Sequence, residues 1–133
     1  MLGPHLTLDL YGCDEKKLND EKFIHKILEE LPDLIKMHKI SKPNVVTYPG
    51  REGSFDKGGI SAFIVIAESH ISIHTFSGYG FASVDIFSCR EFDEEKAIKY
   101  LVEKFGAKKI EKNFLQRGKS FLKKLELRQL NRS

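Results

Sequence analysis

GGISAFIVIAESHISIHTF, residues 58–76, contains two strand patterns and a concentration of polar side chains. From Ile60 to Ala67 both parities are apolar: Ile60, Ala62, Ile64 and Ile66 on one, Phe63, Val65 and Ala67 on the other. A strand of this kind needs cover on both faces of its sheet. His70 to Phe76 reads as a second strand. Ser61, Glu68, Ser69, His70, Ser72, His74 and Thr75 all fall in this stretch. Polar groups are costly to bury unless paired, so their density marks a candidate site. Simple alternation, with His70, Ser72 and His74 facing solvent, accounts for the pattern equally well. Ser69 and His74 are five apart, which puts them on opposite faces of a continuous strand. For the two to cooperate, the chain must break or bulge, most simply at Glu68-Ser69-His70.

Working outward, Leu6, Leu8 and Leu10 alternate with polar residues from His5 to Tyr11, the pattern of a half-buried strand. Asn19 or Asp20 can cap a helix whose stripe is Phe23, Ile24, Ile27, Leu28, Leu31, Leu34 and Ile35. Pro32 predicts a kink or an end near Leu31. Asn44–Tyr48 is a short β-rich run, followed by PGREGSFDKGG, a loop that is exposed or lies over a site. Downstream, Phe81–Cys89 reads as a strand, and Asp93 caps a helix with Ala97, Ile98, Leu101, Val102 and Phe105 on its buried side. Gly106 stops that helix, and Lys108–Phe114 is a last strand. The fold expected is α/β (α+β): a two-layer sandwich, mainly antiparallel, with two helices on one face. In so short a chain a second copy is the economical cover for the other face, so the sheet is expected to self-associate.

The 133 residues suit one domain. Residues 1–68 carry 9 Lys/Arg and 11 Asp/Glu, a net of −2, and residues 69–133 carry 13 and 8, a net of +5. The tail, residues 117–133, has six basic residues against Glu126 alone, so the positive charge belongs to it and the body, 1–116, is mildly acidic. Leu122, Leu125, Leu127 and Leu130 in the tail have the spacing of a short amphipathic helix that could lie on a neighbouring subunit. No basic-aromatic interleaving accompanies the tail, which argues against nucleic acid as a partner. No apolar run is long enough to cross a membrane, and no secretory leader opens the chain. Cys13 and Cys89 make no disulfide framework and suit the cytoplasm. His70 and His74 share a strand with no evident third ligand, so no metal site is expected. Cys89, ending a strand, reads either as a small core residue or as a reactive thiol, and Cys13 as structural.

The ESH-x-x-x-H-T core at Glu68–Thr75, followed by D-x-F-x-C at Asp85–Cys89, closely resembles the small prokaryotic S-adenosylmethionine decarboxylases. These are pyruvoyl enzymes of polyamine and spermidine biosynthesis, and the resemblance runs from LGPHL to about Lys112. It implies a zymogen that cleaves itself between Glu68 and Ser69. Ser69 would become a covalent pyruvoyl cofactor that forms a Schiff base with the substrate. His74 would be the processing base, Ser61 a processing aid by hydrogen bonding, and Cys89 the proton donor in turnover. Phe55 matches a phenylalanine that stacks on the substrate's adenine, and Phe76 is expected to be a second substrate-binding residue. The working form implied is a homodimer of cleaved protomers acting on a small amino-acid-type substrate.

Four positions depart from that pattern. Phe76, Ser77 and Gly78 stand where the family usually has tryptophan, proline and a glutamate that binds ribose hydroxyls; Ala67 replaces a common serine. The resemblance implies S-adenosylmethionine as substrate. Some relatives instead decarboxylate L-arginine or L-ornithine, whose cationic ends call for a carboxylate such as Glu52, Asp56 or Asp85. A silent relative that only activates a partner is expected to lack Ser69 or Cys89, and this chain has both.

Overall fold

The computed structural model describes residues 2–121 and 128. The reading of Leu122, Leu125, Leu127 and Leu130 as a helix lies outside the described residues. Strand β1 (Gly3–Tyr11) is followed by a short helix α1 (Glu15–Leu18) and by α2 (Glu21–Leu34). Three strands come next, β2 (His38–Lys39), β3 (Asn44–Tyr48) and β4 (Gly59–Ala67). Then follow β5 (Ser69–Phe76), a 3-10 turn at Ser77–Tyr79, β6 (Phe81–Ser88), α3 (Glu94–Phe105) and β7 (Lys109–Arg117). The sheet has seven strands in the order β2-β4-β5-β6-β1-β7, with β3 sharing the outer edge of β4, and every pairing is antiparallel.

Period-two alternation sorts the sheet into two faces. Leu6, Leu8, Leu10, Ile60, Ala62, Ile64, Ile66, Ile71, Ile73, Val84 and Ile86 are buried, and form one core with Ile24, Ile27, Leu28 and Leu31 of α2 and Ala97, Leu101 and Phe105 of α3. Both helices therefore cover the same face. Asp20 and Asp93 cap them, accepting from the N–H groups of Phe23 and Lys96. The opposite face is open, and Phe63 and Val65 of β4 remain 44% and 37% exposed there.

The helix around Pro32 differs from expectation. It runs on to Leu34, with the Ile35 N–H bonded to Leu31 O and the Met37 N–H to Pro32 O, while Pro32 is itself buried. Burial of the proline and of the stripe around it outweighs the loss of one backbone donor. Strand β7 extends to Arg117 because its ladder with β1 continues to the pair Gly3–Arg117. The expected boundary at 116/117 thus falls on the last strand residue.

Thr75 is polar and buried, and its role is structural. Its Oγ1 accepts the Ile60 N–H and donates to Leu18 O, both at 2.8 Å, tying β4, β5 and α1 together. Thr75→Val leaves two buried groups without partners, so a loss of at least about 2 kcal/mol is expected in urea unfolding.

Candidate active site

One end of the β4–β5 hairpin is a two-residue turn, Ala67-Glu68, closed by the pair Ile66–Ser69. The Ala67–Glu68 peptide is cis, and Ser69 has φ +130°, a region that side-chain-bearing residues rarely occupy. The Glu68 carbonyl accepts the Cys89 backbone N–H at 3.1 Å. Cys89 follows β6, whose Ser88 pairs with Ser69, and the Ser88 Oγ accepts the Arg90 N–H at 3.0 Å. Close approach of β1 is possible only because residue 3 is glycine: a Cβ there would lie 2.0 Å from Ser88 O. Glu68, Ser69 and Cys89 are thus brought together at one end of the sheet.

Ser61 and His74 meet at the other end. They are opposite one another in the β4–β5 register, and His74 Nδ1 lies 3.0 Å from Ser61 Oγ. Beside them is an aromatic pocket of about 550 Å³ lined by Tyr11, Phe55, Phe76, Tyr79 and Phe81. The Phe55 and Phe76 rings are 22° from parallel with centroids 6.4 Å apart, and Phe76 packs on Phe81 and Phe81 on Tyr11. Tyr11, Tyr79 and Phe81 were missed by the sequence reading. A signal for two of them existed, because Tyr11 ends the strand that neighbours the start of β6 at Phe81.

No break or bulge separates Ser69 from His74. Strand β5 is continuous from Ser69 to Phe76, so five strand steps hold the two about 17 Å apart on opposite parities. Within one chain they do not cooperate. The irregular backbone lies just ahead of β5, at the turn and at Ser69 itself.

Between the two ends the open face carries a paired polar network. Arg117 donates to His5 Nδ1 at 2.9 Å, which leaves His5 Nε2 to donate to Asp85 at 3.0 Å. Ser72 Oγ also donates to Asp85, at 3.4 Å. Asp9 nearby has its pKa raised, by burial first and then by the charges of Glu111 and Asp85. The carboxylates considered for a cationic substrate are occupied or remote: Asp85 serves this network, Asp56 accepts the Gly58 N–H at 2.9 Å, and Glu52 sits exposed on its loop. None of them lines the aromatic pocket.

The two cysteines differ in kind. Cys13 is buried, bonds Leu10 O, and has its thiol pKa pushed up to about 11 by burial, the profile of an inert core residue. Cys89 is half-buried at the end of β6.

Comparison with known proteins agrees with this architecture. Residues 4–118 match the family model for S-adenosylmethionine decarboxylase. The S-adenosylmethionine decarboxylase proenzyme of Pyrobaculum islandicum is 36% identical over 89% of this chain and 90% of its own length. The arginine decarboxylase proenzyme of Pyrobaculum arsenaticum is also 36% identical, over 89% of this chain and 86% of its own. The crystal structure of the adenosylmethionine decarboxylase from Aquifex aeolicus superposes with a TM-score of 0.73 at 31% identity, covering 88% of this chain and 91% of that one. With a match that spans the whole sheet and both ends of the site, the chain belongs to the S-adenosylmethionine decarboxylase family.

Proposed function

We propose that this chain is a self-processing, pyruvoyl-dependent decarboxylase that acts as a homodimer on S-adenosylmethionine. The observation that carries the reading is the Glu68 carbonyl, held by the Cys89 N–H beside a serine with strained backbone. Attack of Ser69 Oγ on the Glu68 carbonyl carbon converts the amide to an ester. The Cys89 N–H is already aimed at the oxygen that gains charge in this step. Removal of the Ser69 α-proton then eliminates the ester, frees residues 1–68 as a carboxylate, and leaves a dehydroalanine whose imine tautomer takes up water and releases ammonia to give the pyruvoyl group.

The base for that elimination is His74. The hydrogen bond between its Nδ1 and Ser61 Oγ orients the ring, and in the Nδ1-protonated tautomer Nε2 is the basic nitrogen. Since β5 keeps Ser69 and His74 of one chain apart, the base is His74 of the partner subunit. Two copies stacked by their open faces, about a two-fold axis running across the strands, bring each Ser69 end to the other's Ser61–His74 end. The same operation sets Phe63 and Val65 against their own counterparts, as an isologous interface requires. A pyruvoyl group supplies the electron sink for loss of carbon dioxide from an amine-bearing acid. Cys89 then returns a proton to the substrate carbon. The pocket, lined by aromatic side chains, suits the flat adenine of S-adenosylmethionine better than an acyclic cation.

A second reading, the same chemistry on L-arginine or L-ornithine, is favoured by Gly78 and by the relative named as an arginine decarboxylase. Carbon dioxide release measured in parallel on the three compounds separates the readings: the first predicts S-adenosylmethionine as the preferred substrate, and exclusive use of L-arginine rejects it.

Intact mass spectrometry should find fragments of 68 and 65 residues, the second blocked at its N-terminus. Ser69→Ala should remain whole. Cys89→Ala should still cleave, because the contact to Glu68 is made by its backbone, yet lose most turnover. The shared site makes a sharper forecast. His74→Ala alone should stay uncut, but co-expressed with Ser69→Ala it should be cleaved, since the mixed dimer holds one complete site. Absence of that rescue in a mixed dimer would place the base elsewhere.

A further inference from the structure

The 3-10 turn Ser77–Tyr79, which includes two of the positions where the chain departs from its family's pattern, holds the loop that carries Phe55. Ser77 donates to Gly58 O from both its N–H and its Oγ, each at 3.3 Å. The Tyr79 hydroxyl donates to Phe55 O at 2.5 Å. A Cβ on Gly78 would stand 3.2 Å from Lys57 Cβ and 3.3 Å from Cγ, so the bare glycine lets the Lys57 stem lie against the 3-10 turn. Within the loop, Ser54 Oγ accepts the Asp56 N–H at 3.1 Å and Asp56 accepts the Gly58 N–H. Phe55 is 72% exposed, yet its ring lies close to parallel with Phe76. Its backbone is anchored while its ring stays free to receive a ligand, which cuts the ordering cost of binding.

We propose that Tyr79 is a positioning residue for substrate specificity: by holding the Phe55 backbone it sets the Phe55–Phe76 ring pair, and the site selects a substrate bearing a flat heterocycle without a carboxylate at position 78. This rests on the decarboxylase reading and names what its pocket selects. Gly78 is then a requirement of the loop's seat. A glutamate there pushes on the Lys57 stem and displaces the loop rather than regaining a hydrogen bond.

The test pairs binding with kinetics. Calorimetric titration of S-adenosylmethionine into the uncleaved Ser69→Ala chain is compared with the same chain carrying Tyr79→Phe. KM and kcat are measured on the cleaved wild-type and Tyr79→Phe enzymes. Tyr79→Phe is expected to raise Kd and KM about five- to tenfold, the scale of one hydrogen bond, with complete cleavage and kcat changed less than about twofold. Gly78→Glu should also raise KM, and adding Lys57→Ala should recover part of the loss. Unchanged Kd and KM in Tyr79→Phe, tighter binding by Gly78→Glu, or wild-type preference for L-arginine each overturns the inference. If Gly78→Glu does not fold, the Tyr79→Phe arm decides. A wild-type chain that binds S-adenosylmethionine yet stays uncut or releases no carbon dioxide defeats the decarboxylase reading instead, while the calorimetric comparison still judges Tyr79.

Discussion

Strand β5 is hydrogen-bonded along both edges, to β4 on one side and to β6 on the other. A strand paired on both sides cannot bend without breaking two ladders, so its eight residues form a rigid spacer. Ser69 sits at one end and His74 near the other, and no side-chain rearrangement closes about 17 Å. The candidate site residues are therefore divided by a strand held on both edges. The turn with its carbonyl contact is at one end, the histidine–serine pair and aromatic pocket at the other. In the proposed dimer a second copy joins them, and the two-fold that does so also covers the open face.

Covering that face is energetically mixed. Phe63 and Val65 gain from burial, at roughly 25 cal/mol per Å² of apolar surface removed from water. The His5, Asp85, Ser72 and Arg117 side chains would lose solvent, which is expensive for a group left unpaired. Each of these four already has a partner within the protomer, and the Arg117 donor fixes His5 in its neutral, Nε2-protonated form. Because the pairing exists before association, desolvation asks less of the interface. The network also occupies the carboxylate, Asp85, that a cationic substrate would otherwise claim.

Much of the fold was legible from the 58–76 segment and its surroundings, because period two and period 3.6 are local properties. Alternation placed Leu6, Leu8 and Leu10 inward, and of the Ile60–Ala67 run Ile60, Ala62, Ile64 and Ile66 enter the core while Phe63 and Val65 stay exposed on the other face. Elements set by tertiary contacts were not legible. The helix passes Pro32 because the proline is buried with the stripe around it, and β2 exists only through its pairing with Ala67 and Ile66. At the candidate site, Ser61, Ser69, His74 and Cys89 stood out by side-chain type. The Cys89 N–H was not, since any non-proline residue has one and only the register directs it to Glu68. Tyr79 was hidden for a related reason: its hydroxyl acts on a backbone carbonyl 24 residues away.

The loss of a glutamate at position 78 looks, from sequence, like a loss of substrate recognition. Magnitudes suggest otherwise. A hydrogen bond to a charged group contributes about 1.5–3 kcal/mol. An aromatic stacking contact contributes about 0.5–1.5 kcal/mol beyond the area it buries, and fixing a side chain in advance saves about 0.5–1.5 kcal/mol. A preset ring pair thus recovers a large share of what one carboxylate supplied. The two solutions also compete here, because a Cβ at 78 would meet the Lys57 stem at 3.2–3.3 Å and the stem would have to give way. On the proposed reading, selection by ring geometry in place of ribose hydrogen bonds follows from how this loop is seated, and its affinity would depend on the rigidity of the backbone around Phe55.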